Sequence, residues 1–487
     1  MRTALLLLVA LWTCCSGADL ADTIRAIIES SPQVRQSFWG IRVIDARSGE
    51  VLFALNDDKF FVPASNTKLF TTALALHRLG ADYRFRTRVA VDAKPDTAGH
   101  VRELRLIGGG DPNLSGRNLP YNVNEEIGPD SFAALRELAD KVVAAGVQSV
   151  EGDIVGDDTA FLWEPYPPGW AIDDATWEYG APVSALTLND NTMHVMVFPG
   201  SAPGMPTSVA LSPTLEYLEI QNRVTTVAPE GKRELRFDRL PGSNELLITG
   251  TIPASGRSWE TTIAVEDPAL FAAAAFKSIL EDRGVRISGR ARALHRSEGE
   301  ELPAWEGIDI AQHDSPPLSQ VLQVINKVSQ NLHTEILLQQ VAREKTGVGS
   351  RRKGLQEIAE WLTEIGVEPG QYNFEDASGL SRLTLVTPAT VSTLLKTMYA
   401  TPEREVWIAS LPIGGVDGTL KNRFEGQPNG TRIHAKTGSL SHVAALSGYA
   451  QIDAEHARIF SVLVNNFNRP ASEIREVVDR IVLALLQ

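Results

Sequence analysis

The feature that most restricts the fold is a change of texture along the chain. From about residue 84 to about residue 304 apolar and polar residues alternate in short runs, among them 102–107, 246–252 and 259–265, with Gly and Pro between them. A period of two over so few residues predicts short strands joined by turns. Two helices are expected inside this block, over 132–145 and 270–283. Each leads into Gly-Val, at Gly146-Val147 and Gly284-Val285, and then into a strand, so the two stretches read as similar helix–strand modules. The flanks differ. Ile41 to Asp45 and Val51 to Leu55 alternate on either side of Arg47-Ser48-Gly49, the pattern of a hairpin. Leu69, Phe70, Ala73, Leu74, Leu76 and Leu79 then recur at helical spacing up to Gly80, a natural stop. After the block the chain turns helical over 317–327, 332–343, 354–364 and 388–399. Two apolar strands follow at 444–452 and 458–465, and a helix closes the chain over 472–486. The mixture is that of an α+β protein.

The first residues carry an address. Arg2 precedes an apolar run over 4–12, and Ser16-Gly17-Ala18 supplies small residues. The run is too short to span a bilayer, and the order predicts an export signal over 1–18, cleaved near Ala18. The stretch Leu11-Trp12-Thr13-Cys14 is a poor lipidation box, because Trp12 is too bulky for it. Cys14 and Cys15 are the only cysteines. The mature chain is therefore expected to lack disulfides, thiolate metal sites and a cysteine nucleophile. A formal charge of −14 makes it a poor partner for nucleic acid or an anionic membrane. The final helix has an apolar stripe at Ile474, Val477, Val478, Ile481, Val482 and Leu485, but its polar face carries Glu473, Glu476 and Asp479. That suits a helix covering a sheet better than one lying on lipid. The expectation is an exported, periplasmic protein with at most peripheral membrane contact.

Three short motifs carry chemistry. Ser65-Asn66-Thr67-Lys68 opens a helix, and a spacing of three puts hydroxyl and amine on one face. A serine needs a base to become a nucleophile, and a neutral lysine can serve. The helix start also offers backbone amides to an oxyanion. Ser329-Gln330-Asn331 lies in a polar break between two helices. Lys436-Thr437-Gly438-Ser439 precedes the strand at 444–452, which places it on an edge strand whose free amides could hold an extended peptide. None of these is specific alone. Ser350-Arg351-Arg352-Lys353 and Lys345-Thr346-Gly347 repeat two of the patterns in charged, loop-like surroundings and in the wrong order. Order and setting give the first set its weight. Other candidates are weaker. Gly108-Gly109-Gly110-Asp111 lacks the G-K-S/T ending of a phosphate loop. His434 and His442 belong to the hairpin, no metal site is expected, and Asp157-Asp158 and Asp173-Asp174 read as turn residues.

The chain resembles the D-alanyl-D-alanine carboxypeptidase/endopeptidases, class C of the low-molecular-mass penicillin-binding proteins. The likeness is carried by 63–69 around Ser65, by Gly109-Gly110-Asp111-Pro112-Asn113-Leu114, by Asp376-Ala377-Ser378-Gly379-Leu380-Ser381-Arg382, and by 434–440 around Lys436. Gln330 departs from the Asp often found in the middle of the second motif. The resemblance implies a β-lactamase/transpeptidase-like catalytic domain, an antiparallel sheet flanked by helices, formed by 19–88 and 305–487. Residues 89–304 would be inserted β-rich accessory domains, expected to number two. More than half the chain separates Ser65 from Ser329, which fits such an insertion and not a compact β-lactamase. The implied activity is hydrolysis of D-Ala-D-Ala, and of D-Ala–diamino-acid cross-links, in peptidoglycan stem peptides, with β-lactams as covalent inhibitors and no cofactor. Ser65, Lys68, Ser329 and Asn331 would be catalytic. Lys436, Thr437, Gly438 and Ser439 would bind substrate. The competing readings are a serine β-lactamase and a catalytically idle wall-peptide-binding module. Because all three motifs lie outside the β-rich block, that block is expected to be dispensable for acylation.

Overall fold

The computed structural model describes residues 17–303, 305–453 and 455–487. The export signal expected over 1–18 lies outside them, apart from Gly17 and Ala18, which begin the first helix, Gly17–Glu29. The central sheet has five antiparallel strands in the order Ile433–Leu440, Val443–Gln451, Ala457–Asn465, Phe38–Asp45, Val51–Leu55. Both ends of the chain thus meet in one sheet. Alternation along Val443–Gln451 sorts its side chains between two cores, as a period of two requires. Ala445 and Tyr449 face one side with Leu69, Phe70, Leu337, Leu394 and Trp407. Ala444, Leu446 and Ala450 face the other, against the first helix and the last, Ala471–Ala484. Ile474, Val477, Val478, Ile481 and Val482 of that last helix are all at most 1 % exposed. At about 1.5–3 kcal/mol for each such side chain, burial against the sheet outweighs any gain from lying on lipid. Among the described residues no helix is long and apolar enough to cross a membrane.

The middle of the chain has a core of its own. One sheet there is ordered Ala291–Leu294, Ile154–Asp157, Leu104–Ile107, Arg86–Val91, Ile308–Asp314. Its first three strands run parallel and its last two pair antiparallel. The two helix–strand modules pack side by side in it. Helices Ala133–Ala144 and Pro268–Asp282 each turn through a glycine, Gly146 at φ 92° and Gly284 at φ 84°, before their strands. Only glycine takes that backbone without strain, which is why the Gly-Val pair marks both modules. Three further three-stranded sheets carry Glu219–Val227, Glu245–Pro253 and Glu234–Arg239; Trp259–Ala264, Thr192–Phe198 and Ser208–Ser212; and Arg286–Ile287, Ser149–Val150 and His100–Val101.

Candidate active site

Ser65 lies in a single tight turn, Ala64–Thr67, that runs directly into the helix Lys68–Leu79. Apolar residues of that helix anchor it in the core, with Leu69, Phe70, Ala73 and Leu74 fully buried. Lys68 is buried with them, at 0 % exposure, while Ser65 remains half-buried at its mouth. The Lys68 Nζ is 3.0 Å from Ser65 Oγ and donates to Asn331 Oδ1 at 2.6 Å and to the Ser378 carbonyl at 2.7 Å. Burial is the largest influence on this amine and lowers its pKa to about 7, against the opposing pull of the negative charges at Asp376 and Glu335.

The other two motifs converge on this point. The helix Leu318–Gln323 ends in a wider turn, Val324–Val328, and Ser329 follows in the left-handed region at φ 67°. The next helix, Asn331–Thr346, begins at once and aims Asn331 at Lys68. Lys436 is on the edge strand of the central sheet, at 0 % exposure, and donates to Ser329 Oγ at 2.9 Å. Burial, then the nearby Lys68 charge, lower the Lys436 pKa well below its ordinary value. Asn66 ties the first motif to the third, its Nδ2 donating to the Lys436 carbonyl at 3.0 Å. Gly438 permits this approach: a Cβ there would stand 2.6 Å from the Pro63 carbonyl oxygen. Thr437 Oγ1 bonds Thr419 Oγ1 at 2.8 Å, and Ser439 is exposed. Of the eight residues expected at the site, Ser65, Asn331 and Ser439 line one cleft, Lys68 bonds Ser65 and Asn331, Lys436 bonds Ser329, and Thr437 and Gly438 line a neighbouring cavity with Ser439.

Two layers of support were not singled out in the sequence as such. Asp376 accepts from Ser381 N at 2.8 Å, Thr384 Oγ1 at 2.8 Å and Ser378 Oγ at 3.2 Å, and Glu335 accepts from Ser378 N at 2.8 Å. These bonds shape the turn that presents the Ser378 carbonyl to Lys68. Burial, then the Asp376 charge, raise the Glu335 pKa to about 7. Gly379, at φ +79°, lies so close to Ala64 that a Cβ would meet its carbonyl at 1.9 Å. The second layer comes from the β-rich block. Trp170 Nε1 donates to Asp376 Oδ2 at 3.1 Å, and Asn331 Nδ2 donates to the Tyr179 carbonyl at 2.8 Å. The cleft, about 510 Å³, is lined by Ser65, Asn331, Arg382 and Ser439 on one side and by Asp174 and Tyr179 on the other. The block therefore forms a wall of this cleft, a contribution that the position of the three motifs outside it did not lead one to expect. Asp173 and Asp174 do make a turn, with Asp174 accepting from Ala171 N at 2.9 Å, but they also line this cleft.

The repeated patterns have other partners. Lys345 is in the last turn of the helix Asn331–Thr346, not in a loop, and pairs with Glu357 and, at 2.8 Å, with Glu360. Ser350 sits at the N-terminal cap of the helix Arg351–Glu364.

A sequence-family model for the D-Ala-D-Ala carboxypeptidase 3 (S13) family matches residues 20–485. The chain belongs to this family. As a member of the S13 family it is a serine-type D-Ala-D-Ala carboxypeptidase. It is 36 % identical over 472 residues to a D-alanyl-D-alanine carboxypeptidase of Actinomadura sp., covering 94 % of this chain and 83 % of that one. It is 28 % identical over 471 residues to a penicillin-sensitive carboxypeptidase A of Dictyostelium discoideum, covering 92 % and 87 %. The crystal structure of penicillin-binding protein 4 from Haemophilus influenzae superposes with a TM-score of 0.80 at 23 % identity, over 95 % of this chain and 98 % of that one. At that identity the likeness bears on the fold, which is the expected α+β arrangement.

Proposed function

We propose that this S13 carboxypeptidase is exported and acts on peptidoglycan stem peptides through an acyl-enzyme on Ser65. Ser65 Oγ attacks the carbonyl carbon of the penultimate D-alanine while neutral Lys68 takes the hydroxyl proton. The amides of Ser65 and Ser439 stabilise the oxyanion. The proton taken up by Lys68 reaches the departing nitrogen by way of the Ser329 hydroxyl, the C–N bond breaks, D-alanine leaves, and Lys68 is neutral again. Water then hydrolyses the ester, releasing the shortened peptide and restoring the Ser65 hydroxyl. Asn331 holds both the peptide and Lys68, and Lys436 with Thr437 binds the terminal carboxylate. The same steps on a D-Ala–diamino-acid bond open a cross-link. A β-lactam acylates Ser65 in place of the peptide, in keeping with the penicillin sensitivity of the Dictyostelium relative. Residues 89–304 read as inserted accessory domains that also contribute to the cleft.

The observation that carries this reading is the buried Lys68 amine, 3.0 Å from Ser65 Oγ and with its pKa lowered to about 7. The two lysines make sense together. Burial and then the Lys68 charge lower the Lys436 pKa, so a neutral Lys68 leaves Lys436 better able to carry the charge that meets a substrate carboxylate. The experiment is incubation with a fluorescent penicillin, following label over time. Stable stoichiometric label supports the peptidase. Rapid turnover of label indicates a β-lactamase, and no label on folded protein an idle binding module.

A further inference from the structure

Besides the Tyr179 carbonyl that receives Asn331, the β-rich block grips the second motif through one carboxylate. Asp190 stands in a turn just before the strand Thr192–Phe198, and Asn189, Asp190 and Asn191 all have left-handed backbones, at φ 51°, 53° and 55°. Three successive non-glycine residues in that region are rare, and such strain persists only where the surroundings fix it. Here side chains fasten the turn: Asn191 Nδ2 donates to the Pro182 carbonyl at 2.8 Å and Asn189 Nδ2 to the Thr192 carbonyl at 2.9 Å.

This turn delivers one acceptor group to the helix start that bears Asn331. The Asp190 carboxylate receives Arg117 through Nε at 2.7 Å and Nη2 at 2.6 Å. It also receives Gln330 Nε2 at 3.3 Å, and it stands 2.9 Å from His333 Nε2. Gln330 in turn caps the helix, its Oε1 accepting from Leu332 N at 2.8 Å. His333 is 0 % exposed, and its Nδ1 has no hydrogen-bond partner among the described residues. That fits a neutral ring whose one N–H, on Nε2, is donated to Asp190. Burial would push the Asp190 carboxyl upward, but Arg117 and then His333 outweigh it and hold it below the usual carboxylate range. Gln330 and His333 bracket Asn331 in the chain, and Ser329 is the preceding residue. The two hydrogen bonds that join this motif to the lysines, Lys68 to Asn331 and Lys436 to Ser329, therefore hang from a short segment whose position Asp190 fixes.

We infer that Asp190, paired with Arg117, is a positioning residue of the acylation step, setting the placement of Ser329 and Asn331 by holding Gln330 and His333. This rests on the acyl-enzyme reading above. A carboxylate suits the task because it only accepts, and four N–H groups converge on it. An asparagine of the same shape would turn one acceptor into a donor facing donors.

The test is a double-mutant cycle on the rate of acylation by a fluorescent penicillin, with thermal unfolding followed in parallel. Asp190→Asn is expected to slow acylation at least tenfold in folded protein while initial affinity for the penicillin changes less than threefold. In an Asn331→Ala background the same substitution is expected to cost at least threefold less than in the wild type, because one of the two groups it positions is gone. Arg117→Lys keeps a cation but loses the two-pronged contact, and is expected to lose about three- to tenfold; it serves in place of Asp190→Asn should that variant not fold. Wild-type rates for Asp190→Asn, or for Arg117→Lys if only it folds, would overturn the inference. So would a full loss that persists undiminished in the Asn331→Ala background, which shows that Asp190 does not act through the placement of Asn331. Labelling of the wild type and of Ser65→Ala in the same assay checks the underlying reading separately.

Discussion

The pH dependence of acylation follows from the surroundings of Lys68. Only the neutral amine can take the Ser65 proton, and burial lowers its pKa to about 7. The sign is fixed by that direction: protons leave Lys68 as pH rises through 7, so acylation should rise over the same window. With a midpoint near 7 the neutral fraction grows from roughly one-tenth at pH 6 to roughly nine-tenths at pH 8, about a tenfold gain in rate. A lysine at its ordinary value would be almost fully charged at pH 8 and would still be gaining at pH 10. Glu335 sharpens the test: its own pKa is raised to about 7, and the negative charge it carries as it ionises in this window holds the Lys68 pKa up. Glu335→Gln should move the midpoint to lower pH while keeping an acceptor for the Ala377 and Ser378 amides. The assay is the second-order rate of labelling by a fluorescent penicillin from pH 5.5 to 9, quenched in denaturant. A flat profile, a fall in rate with rising pH, or a midpoint moved upward in Glu335→Gln would refute the reasoning.

Two further outcomes are expected. Lys436→Ala should reduce kcat/KM on peptides ending in a free D-alanine carboxylate by tenfold or more, since it removes the proposed carboxylate partner and the bond to Ser329; steady-state kinetics on such a peptide, against its C-terminal amide, measures this. Lys345→Ala and Ser350→Ala should leave labelling rates within about twofold of wild type, because both residues have partners or positions on the helices of 331–364 and none in the cleft. A loss of rate from either, in folded protein, would reopen the choice between motif copies.

How much of this was legible depended on whether a feature is local. Ser65 and Lys68 could be read because a helix start fixes the geometry of residues three apart, and the edge position of Lys436 because the polar turn before 443–451 makes a hairpin. Helix ends were less readable. The helix expected over 317–327 gives way at Val324 to a wider turn, and Ser329 follows it in a left-handed conformation. The contacts from the β-rich block escaped notice for a different reason. Trp170 and Asp376 are 206 residues apart, and Tyr179 meets Asn331 through its backbone carbonyl, which any residue possesses. No residue type or spacing signals such a bond. Asp190 left a trace in the run Asn189-Asp190-Asn191, residue types that tolerate left-handed backbones, yet nothing in the sequence says what that turn faces.

The central claim is that one serine forms the covalent intermediate, and mass spectrometry of the penicillin adduct tests it most directly. The protein is incubated with a penicillin, denatured, digested and mapped. The account predicts one adduct per chain on the peptide containing Ser65, stable over the time of the experiment and absent from a folded Ser65→Ala variant. An adduct that persists in Ser65→Ala, or that maps to Ser329 or Ser350 in the wild type, would contradict it.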